Sequence, residues 1–311
     1  MTGKRSRPRA GGAIRLALLL AVTFVCAYLF GLYSHAREIW PVDIVRQLKK
    51  WADPPRADIG RYDPSQRLIA YPGKTEVACP APAASTAVIL AIGQSNAANA
   101  GASKVATRYP DRVLNYFDGK CYVAASPLLG ATREGGEFLT LLADDLIAAG
   151  TYHRVIIIAA AHGGSPVSRW RRNGDLNERL LSTLKALPPG YKVTEVVWHQ
   201  GEADFELKTS ADLYTASFNS LVETLRESGV DAPVFAAIAT RCGRAGWTAD
   251  NPTANAQRAT IDNRRIFLGA DTDALLGTAD RREDKCHLGE SGQTKTAASY
   301  AQAIKAHRRS P

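Results

Sequence analysis

Ala87-Val88-Ile89-Leu90-Ala91-Ile92-Gly93 is a short apolar run, rich in β-branched residues and closed by a glycine. That length and composition suit a strand buried on both faces. Residues 154–160, 193–198 and 233–238 form similar runs. Between them Phe138, Leu141, Leu142 and Leu146 recur at helical spacing. Phe218, Leu221, Val222 and Leu225 do the same in a segment that Ser210 can cap. Residues 175–187 and 289–307 also read as helices. Strands alternating with helices predict a parallel sheet covered on both faces. The expectation is α/β: a three-layer α/β/α sandwich around a mostly parallel five-stranded sheet. In such sheets, sites form beyond the carboxyl ends of the strands.

The rest of the composition agrees with one folded body. Of 311 residues, 45% are hydrophobic and 22% charged, which excludes collagen-like, low-complexity and polytopic membrane chains. Lys4, Arg5, Arg7, Arg9 and Arg15 supply five positive charges; removing them from the net +9 leaves +4, too little to argue for nucleic acid. After them comes an uncharged run over 16–33. Eighteen residues at about 1.5 Å each would span roughly 27 Å, near the thickness of a bilayer core. The pattern predicts a cytoplasmic basic tail (1–13), a transmembrane anchor (14–34), a Pro-rich membrane-proximal spacer (35–84) with a short helix at 42–51, and an extracytoplasmic catalytic domain (85–311). That domain would be periplasmic if the cell is Gram-negative. Ser34-His35-Ala36 permits the alternative of a cleaved signal peptide and secretion.

Export permits disulfides. Outside the apolar run stand Cys79, Cys121, Cys242 and Cys286. Four cysteines allow three connectivities. Cys79–Cys121 with Cys242–Cys286 is favoured, because 242 and 286 lie where the chemistry gathers. No C-x-x-C pair supports structural zinc.

Each strand end carries something polar. Gly93-Gln94-Ser95-Asn96 places a serine at a strand-to-helix turn, where backbone N–H groups can meet an anion. Position 97 is Ala, so this is not the Gly-x-Ser-x-Gly elbow, and no dinucleotide or nucleotide loop is present. His162-Gly163-Gly164-Ser165 can bring backbone N–H groups close to a ligand. Trp198-His199-Gln200-Gly201-Glu202-Ala203-Asp204 sets polar side chains around a glycine; a metal reading of His199, Glu202 and Asp204 lacks the two-histidine helical spacing of zinc hydrolases. In Asp284-Lys285-Cys286-His287 the carboxylate can orient the imidazole, which can deprotonate a serine.

Together these blocks resemble those of the SGNH (GDSL-like) hydrolases, in the branch of sialate O-acetylesterases and plant carbohydrate esterases. The resemblance covers roughly 85–307. It implies the flavodoxin-like SGNH fold, with Ser95 as nucleophile, His287 as general base and then acid, and Asp284 as its orienting partner. The oxyanion hole would be the backbone N–H groups of Ser95 and Gly164 and the side-chain amide of Gln200, with Gly163 able to exchange with Gly164. Asn96, Glu202 and Gln257 would support the site or touch substrate. Gly135-Gly136-Glu137 replaces the Gly-Ser that relatives often carry, which would alter the pocket wall. The implied substrate is an acetylated extracytoplasmic polysaccharide, attacked through an acetyl-serine with no cofactor or metal. An O-acetyltransferase using the same triad, and a non-catalytic glycan-binding protein, are the competing readings.

Overall fold

The computed structural model describes residues 10–37, 60–243 and 246–309. The chain divides into two units, Met1–Ile59 and Gly60–Pro311. Among the described residues the second holds all ten strands: β1 (Arg61–Tyr62), β2 (Leu68–Ala70), β3 (Glu76–Val77), β4 (Thr86–Gly93), β5 (Val113–Phe117), β6 (Lys120–Val123), β7 (Arg154–Ala159), β8 (Glu195–His199), β9 (Val234–Ile238) and β10 (Ile266–Asp271). β1 and β2 form a small ribbon, and the others make one sheet in the order β10-β9-β8-β4-β7-β5-β6-β3.

From β10 to β5 every pairing is parallel, while β6 and β3 close the edge antiparallel. The expected five strands are therefore eight, six of them parallel. The additional strands lack an all-apolar signature. β5 buries Asn115, whose side chain is tied to Leu129 and Ile157, and β10 is an edge strand with exposed Leu268. β6 alternates exposed Lys120 with buried Cys121, and the Cys79–Cys121 disulfide fastens the residues after β3 to it.

The sandwich is three-layered as expected. Successive strand side chains face opposite ways. On one side Ile89 and Ala91 pack with Phe138, Leu142 and Leu146 and with Tyr300 and Ile304, on the helices Leu139–Ala148 and Glu290–Arg309. On the other side Val88, Leu90 and Ile92 meet Leu176 and Leu180 of the helix Asp175–Lys185 and Phe218, Leu221 and Leu225 of the helix Ala211–Glu227. Ser210 caps that last helix by accepting from the Leu213 N–H.

β4 lies between β7 and β8, so the turns that leave these strands rise side by side at one sheet edge. Gly93 pairs with His199, and the N–H of His162 donates to the Gly93 carbonyl at 2.9 Å.

One expectation at the N-terminus changes. The helix Ala10–Arg37 forms, but among the described residues no helix is long and apolar enough to cross a membrane. The transmembrane helix at 14–34, and the membrane partnership of 16–33, do not hold. The stretch expected as a spacer supplies β1 to β3 to the second unit. The short helix at 42–51 and most of the basic tail lie outside the described residues.

Candidate active site

The serine turn is shaped by the close approach of β4 and β8. Gly93 has φ of +125°, and a Cβ there would lie 2.1 Å from the His199 carbonyl oxygen. Only glycine fits. Gln94 follows in extended conformation, its N–H donating to the same carbonyl at 2.9 Å, and Ser95 opens the 3-10 turn Ser95–Ala97. The Gln94 side-chain carbonyl accepts from the N–H groups of Gly201 (3.3 Å) and Ala203 (3.1 Å) at the start of the helix Glu202–Leu207, locking the serine turn to the end of β8.

On the loop after the 3-10 turn Thr278–Asp280, Asp284 and His287 sit side by side, with Oδ2 and Nδ1 2.8 Å apart. Oδ1 of Asp284 accepts the N–H groups of Cys286 and His287, each at 2.9 Å. Burial alone would raise the Asp284 pKa, but these hydrogen bonds outweigh it and hold the carboxyl at about 2. It therefore stays ionised and fixes the imidazole so that Nε2 is the basic nitrogen. The Cys242–Cys286 disulfide ties this loop to the segment after β9, and Arg281 braces it by donating to the Cys286 and Thr272 carbonyls at 2.9 and 3.1 Å.

Asn96 joins the two halves. Its Oδ1 accepts from the Leu288 N–H at 3.0 Å, while Nδ2 donates to Glu202 at 2.7 Å and reaches the Cys286 carbonyl at 3.5 Å. His287 is thus held from both flanks by the residue next to Ser95. The structure draws no hydrogen bond between the Ser95 hydroxyl and the His287 ring. In sites without substrate such bonds are often long and tighten on binding.

The candidate oxyanion donors separate by what each N–H already does. Gly163 donates to the Thr132 hydroxyl at 2.8 Å. The N–H groups of Ser95 and Gly164 donate to no described residue, and Gly164 is exposed with φ of +68°. Gln200 differs from its expected role. It is fully buried, and its amide nitrogen is taken up by Asp204, by the Ser165 carbonyl at 3.1 Å and by Gln94 at 3.3 Å. An amide whose hydrogens are committed in this way has none left for an oxyanion, so Gln200 braces the site from behind.

Gln257 is likewise a brace, donating to the Gln200 carbonyl (2.6 Å) and Tyr214 (3.1 Å) and accepting from the Ala239 N–H (3.1 Å). Glu202 lies beneath Asn96, and burial pushes it up to about 7. His199 sits 3.9 Å from it and is held down to about 3, first by burial and then by Arg281. Asp204 accepts from the Val167 N–H, Thr209 and Gln200, and among the described residues no three His, Cys, Asp or Glu side chains gather as a metal-binding group. Glu137 does not form a pocket wall: it is buried and binds Ser126 and Thr140 at the start of a helix. The sequence reading assigned no role to Gln94, Thr132 or Arg281. Gln94 stood inside the quoted serine block, and Arg281 lies five positions before Cys286, whose carbonyl it holds; Thr132 accepts from the N–H of Gly163, 31 positions away, which no local pattern reveals.

Residues 85–306 match the family model described as carbohydrate esterase, sialic acid-specific acetylesterase. Among solved structures the chain is similar to a protein from Arabidopsis thaliana, at 17% identity and a TM-score of 0.55 over 71% of this chain and 97% of that one. It is also similar to a carbohydrate acetylesterase from Xanthomonas citri, at 18% identity and 0.49 over 70% of this chain and 55% of that one. At 17% identity the likeness to the Arabidopsis protein is one of fold. No curated protein matches the chain.

Proposed function

The chain belongs to the carbohydrate esterase, sialic acid-specific acetylesterase family and is a carboxylic ester hydrolase; from that premise we propose that it removes acetyl groups from an extracytoplasmic glycan through an acetyl-serine at Ser95. The observation that carries the reading is the Asp284–His287 pair at 2.8 Å, fastened by Asn96 beside Ser95.

Ser95 Oγ attacks the ester carbonyl as His287 Nε2 takes its proton. The negative charge on the carbonyl oxygen is met by the N–H groups of Ser95 and Gly164. Collapse of the tetrahedral adduct expels the sugar hydroxyl, which recovers the proton from His287. Water, deprotonated by the same imidazole, then attacks the acetyl-serine and releases acetate. Asp284 stays ionised throughout and stabilises the imidazolium. The two disulfides fit a compartment outside the reducing cytosol.

Acetate release from a panel of acetylated cell-envelope polysaccharides, with Ser95→Ala as control, tests the reading. Free acetate from at least one polysaccharide, lost in the variant, is expected. Acetyl appearing on an added glycan instead would mark a transferase, and no Ser95-dependent release would overturn the proposal.

A further inference from the structure

Thr132 is a buried side chain to which the proposed mechanism gives no part, yet it grips the turn that supplies one of the two candidate oxyanion donors. Its hydroxyl accepts the Gly163 N–H at 2.8 Å. The carbonyl of the same peptide group, on His162, accepts from the Ser165 hydroxyl at 2.8 Å, and that hydroxyl in turn accepts from the Trp170 indole N–H at 2.9 Å. The peptide joining His162 to Gly163 is therefore held at both ends. A peptide group is planar and rigid, so holding its N–H and its C=O fixes the direction in which the chain enters the next one. That next peptide carries the Gly164 N–H, which donates to no described residue.

The space around the two glycines divides in the same way. A Cβ on Gly163 would stand 2.8 Å from Arg133 Nε and 3.3 Å from the Thr132 hydroxyl oxygen, whereas a Cβ on Gly164 would meet nothing within 4 Å. Gly163 is walled, and Gly164 is open to a ligand. Gln200 has its amide hydrogens committed elsewhere. The charge on a tetrahedral adduct would then rest on the N–H groups of Ser95 and Gly164, so an error in the aim of either would be felt in full.

Thr132 is itself tied to the serine turn. Its carbonyl accepts from Asn99 Nδ2 at 3.2 Å, and its N–H donates to the Ala161 carbonyl at 3.3 Å. Asn99 lies four residues after Ser95 and is buried with φ of +57°, a backbone conformation that Asn adopts more readily than most residues. It also holds Leu128 at both ends, donating to its carbonyl at 3.0 Å and accepting its N–H at 2.8 Å. A chain of contacts thus runs from the serine turn through Asn99 and Thr132 to Gly163. It stands beside the direct bond from the His162 N–H to the Gly93 carbonyl at 2.9 Å.

We propose that Thr132 is a positioning residue of the esterase reaction: by claiming the Gly163 N–H it commits Gly164 to the oxyanion, and through Asn99 it ties that choice to the turn bearing Ser95. The inference rests on the esterase reading above. The Gly164 N–H meets full negative charge only as the tetrahedral adduct forms, so lost aim lowers kcat and leaves KM in place.

Two measurements test this. Thr132→Val keeps the outline of the side chain and removes the acceptor, whereas Thr132→Ser keeps the acceptor. On p-nitrophenyl acetate, in chains shown by thermal melts to be folded, Thr132→Val should lower kcat about 10- to 100-fold with KM and the midpoints of the pH profile unchanged. Thr132→Ser should recover most of the rate. Wild-type kcat in a folded Thr132→Val chain, or a Thr132→Ser chain as slow as Thr132→Val, would overturn the role. The second measurement needs no variant. A fluorophosphonate loses fluoride to Ser95 Oγ and leaves a phosphoryl oxygen where the oxyanion would lie. In the isotope-labelled wild-type chain this should move the Gly164 amide proton resonance downfield and leave that of Gly163 nearly in place. A Gly163 shift as large as that of Gly164 would overturn the proposal and leave the esterase reading standing. A wild-type chain that neither turns over p-nitrophenyl acetate nor takes up the phosphonate would overturn both.

Discussion

Leu288 donates its backbone N–H to the side-chain carbonyl of Asn96 at 3.0 Å, across 192 positions of sequence. Through this bond the residue beside Ser95 sets the backbone beside His287. The contact lives at the level of packing, but in the proposed mechanism its consequence would be catalytic: the register of His287 against Ser95 depends on a side chain to which that mechanism gives no chemistry.

Asn96→Ala should therefore damage rate more than binding. It strands the Leu288 N–H and a Glu202 oxygen in a buried setting, at about 1–3 kcal/mol. It also frees the His287 loop, and small misplacements of reacting groups cost on the order of 10²-fold in rate. The expected result is a kcat lowered about 10²-fold with KM little changed, read by steady-state kinetics beside a thermal melt. A wild-type kcat would contradict the clamp.

The two disulfides should separate activity from stability. Cys286 immediately precedes His287, whereas Cys79–Cys121 ties down the far sheet edge. Cys242→Ser should cut turnover in a chain that still melts cooperatively. Cys79→Ser should lose stability, typically about 2–4 kcal/mol for such a link, with turnover largely kept below its melting point. Esterase assays and melts on both variants check this, and equal activity losses in the two would contradict it.

Glu202 predicts a stability slope. Its pKa is raised from 4.5 to about 7, so between those values the folded chain keeps a proton that the unfolded chain has lost. Its contribution is fully present below about pH 4.5 and is lost as pH rises through 7. Asp284 works oppositely: lowered from 3.8 to about 2, it contributes above about pH 3.8 and loses that as pH falls through 2. Denaturant unfolding of wild type and Glu202→Gln at pH 5 and 7.5 checks the first sign. The wild type should lose more stability across that interval than the variant does, and parallel behaviour would contradict the assignment.

Gly93→Ala should be among the most damaging single-methyl additions. The Cβ would meet the His199 carbonyl at 2.1 Å on a backbone at φ of +125°. Overpacking costs about 1–3 kcal/mol and the backbone strain about as much again. Loss of soluble, active protein is expected; a variant that folds and turns over like wild type would mean the serine turn is not held by this approach.

Much of this site was legible because its chemistry is local in sequence. Asp284 and His287 stand three apart on one loop, and Ser95 follows a glycine at the end of an all-buried strand. The apolar runs at β4, β7, β8 and β9 likewise declared themselves. β5 and β10 did not, since a buried Asn115 and an exposed Leu268 break the pattern that marks a central strand. The role of Gln200 was hidden for another reason: whether an amide faces a substrate or a buried Asp204 is decided by tertiary packing. The apolar residues from 16 to 33 carried a membrane signal by composition alone, and the described helix does not sustain it.

The central claim is that Ser95 is the nucleophile of an esterase organised by Asp284 and His287. It is tested most directly by p-nitrophenyl acetate turnover of Ser95→Ala against wild type, with thermal melts to show that both are folded. The account predicts a fall of at least about 10³-fold at an unchanged melting temperature. A folded Ser95→Ala chain that keeps wild-type turnover would contradict it.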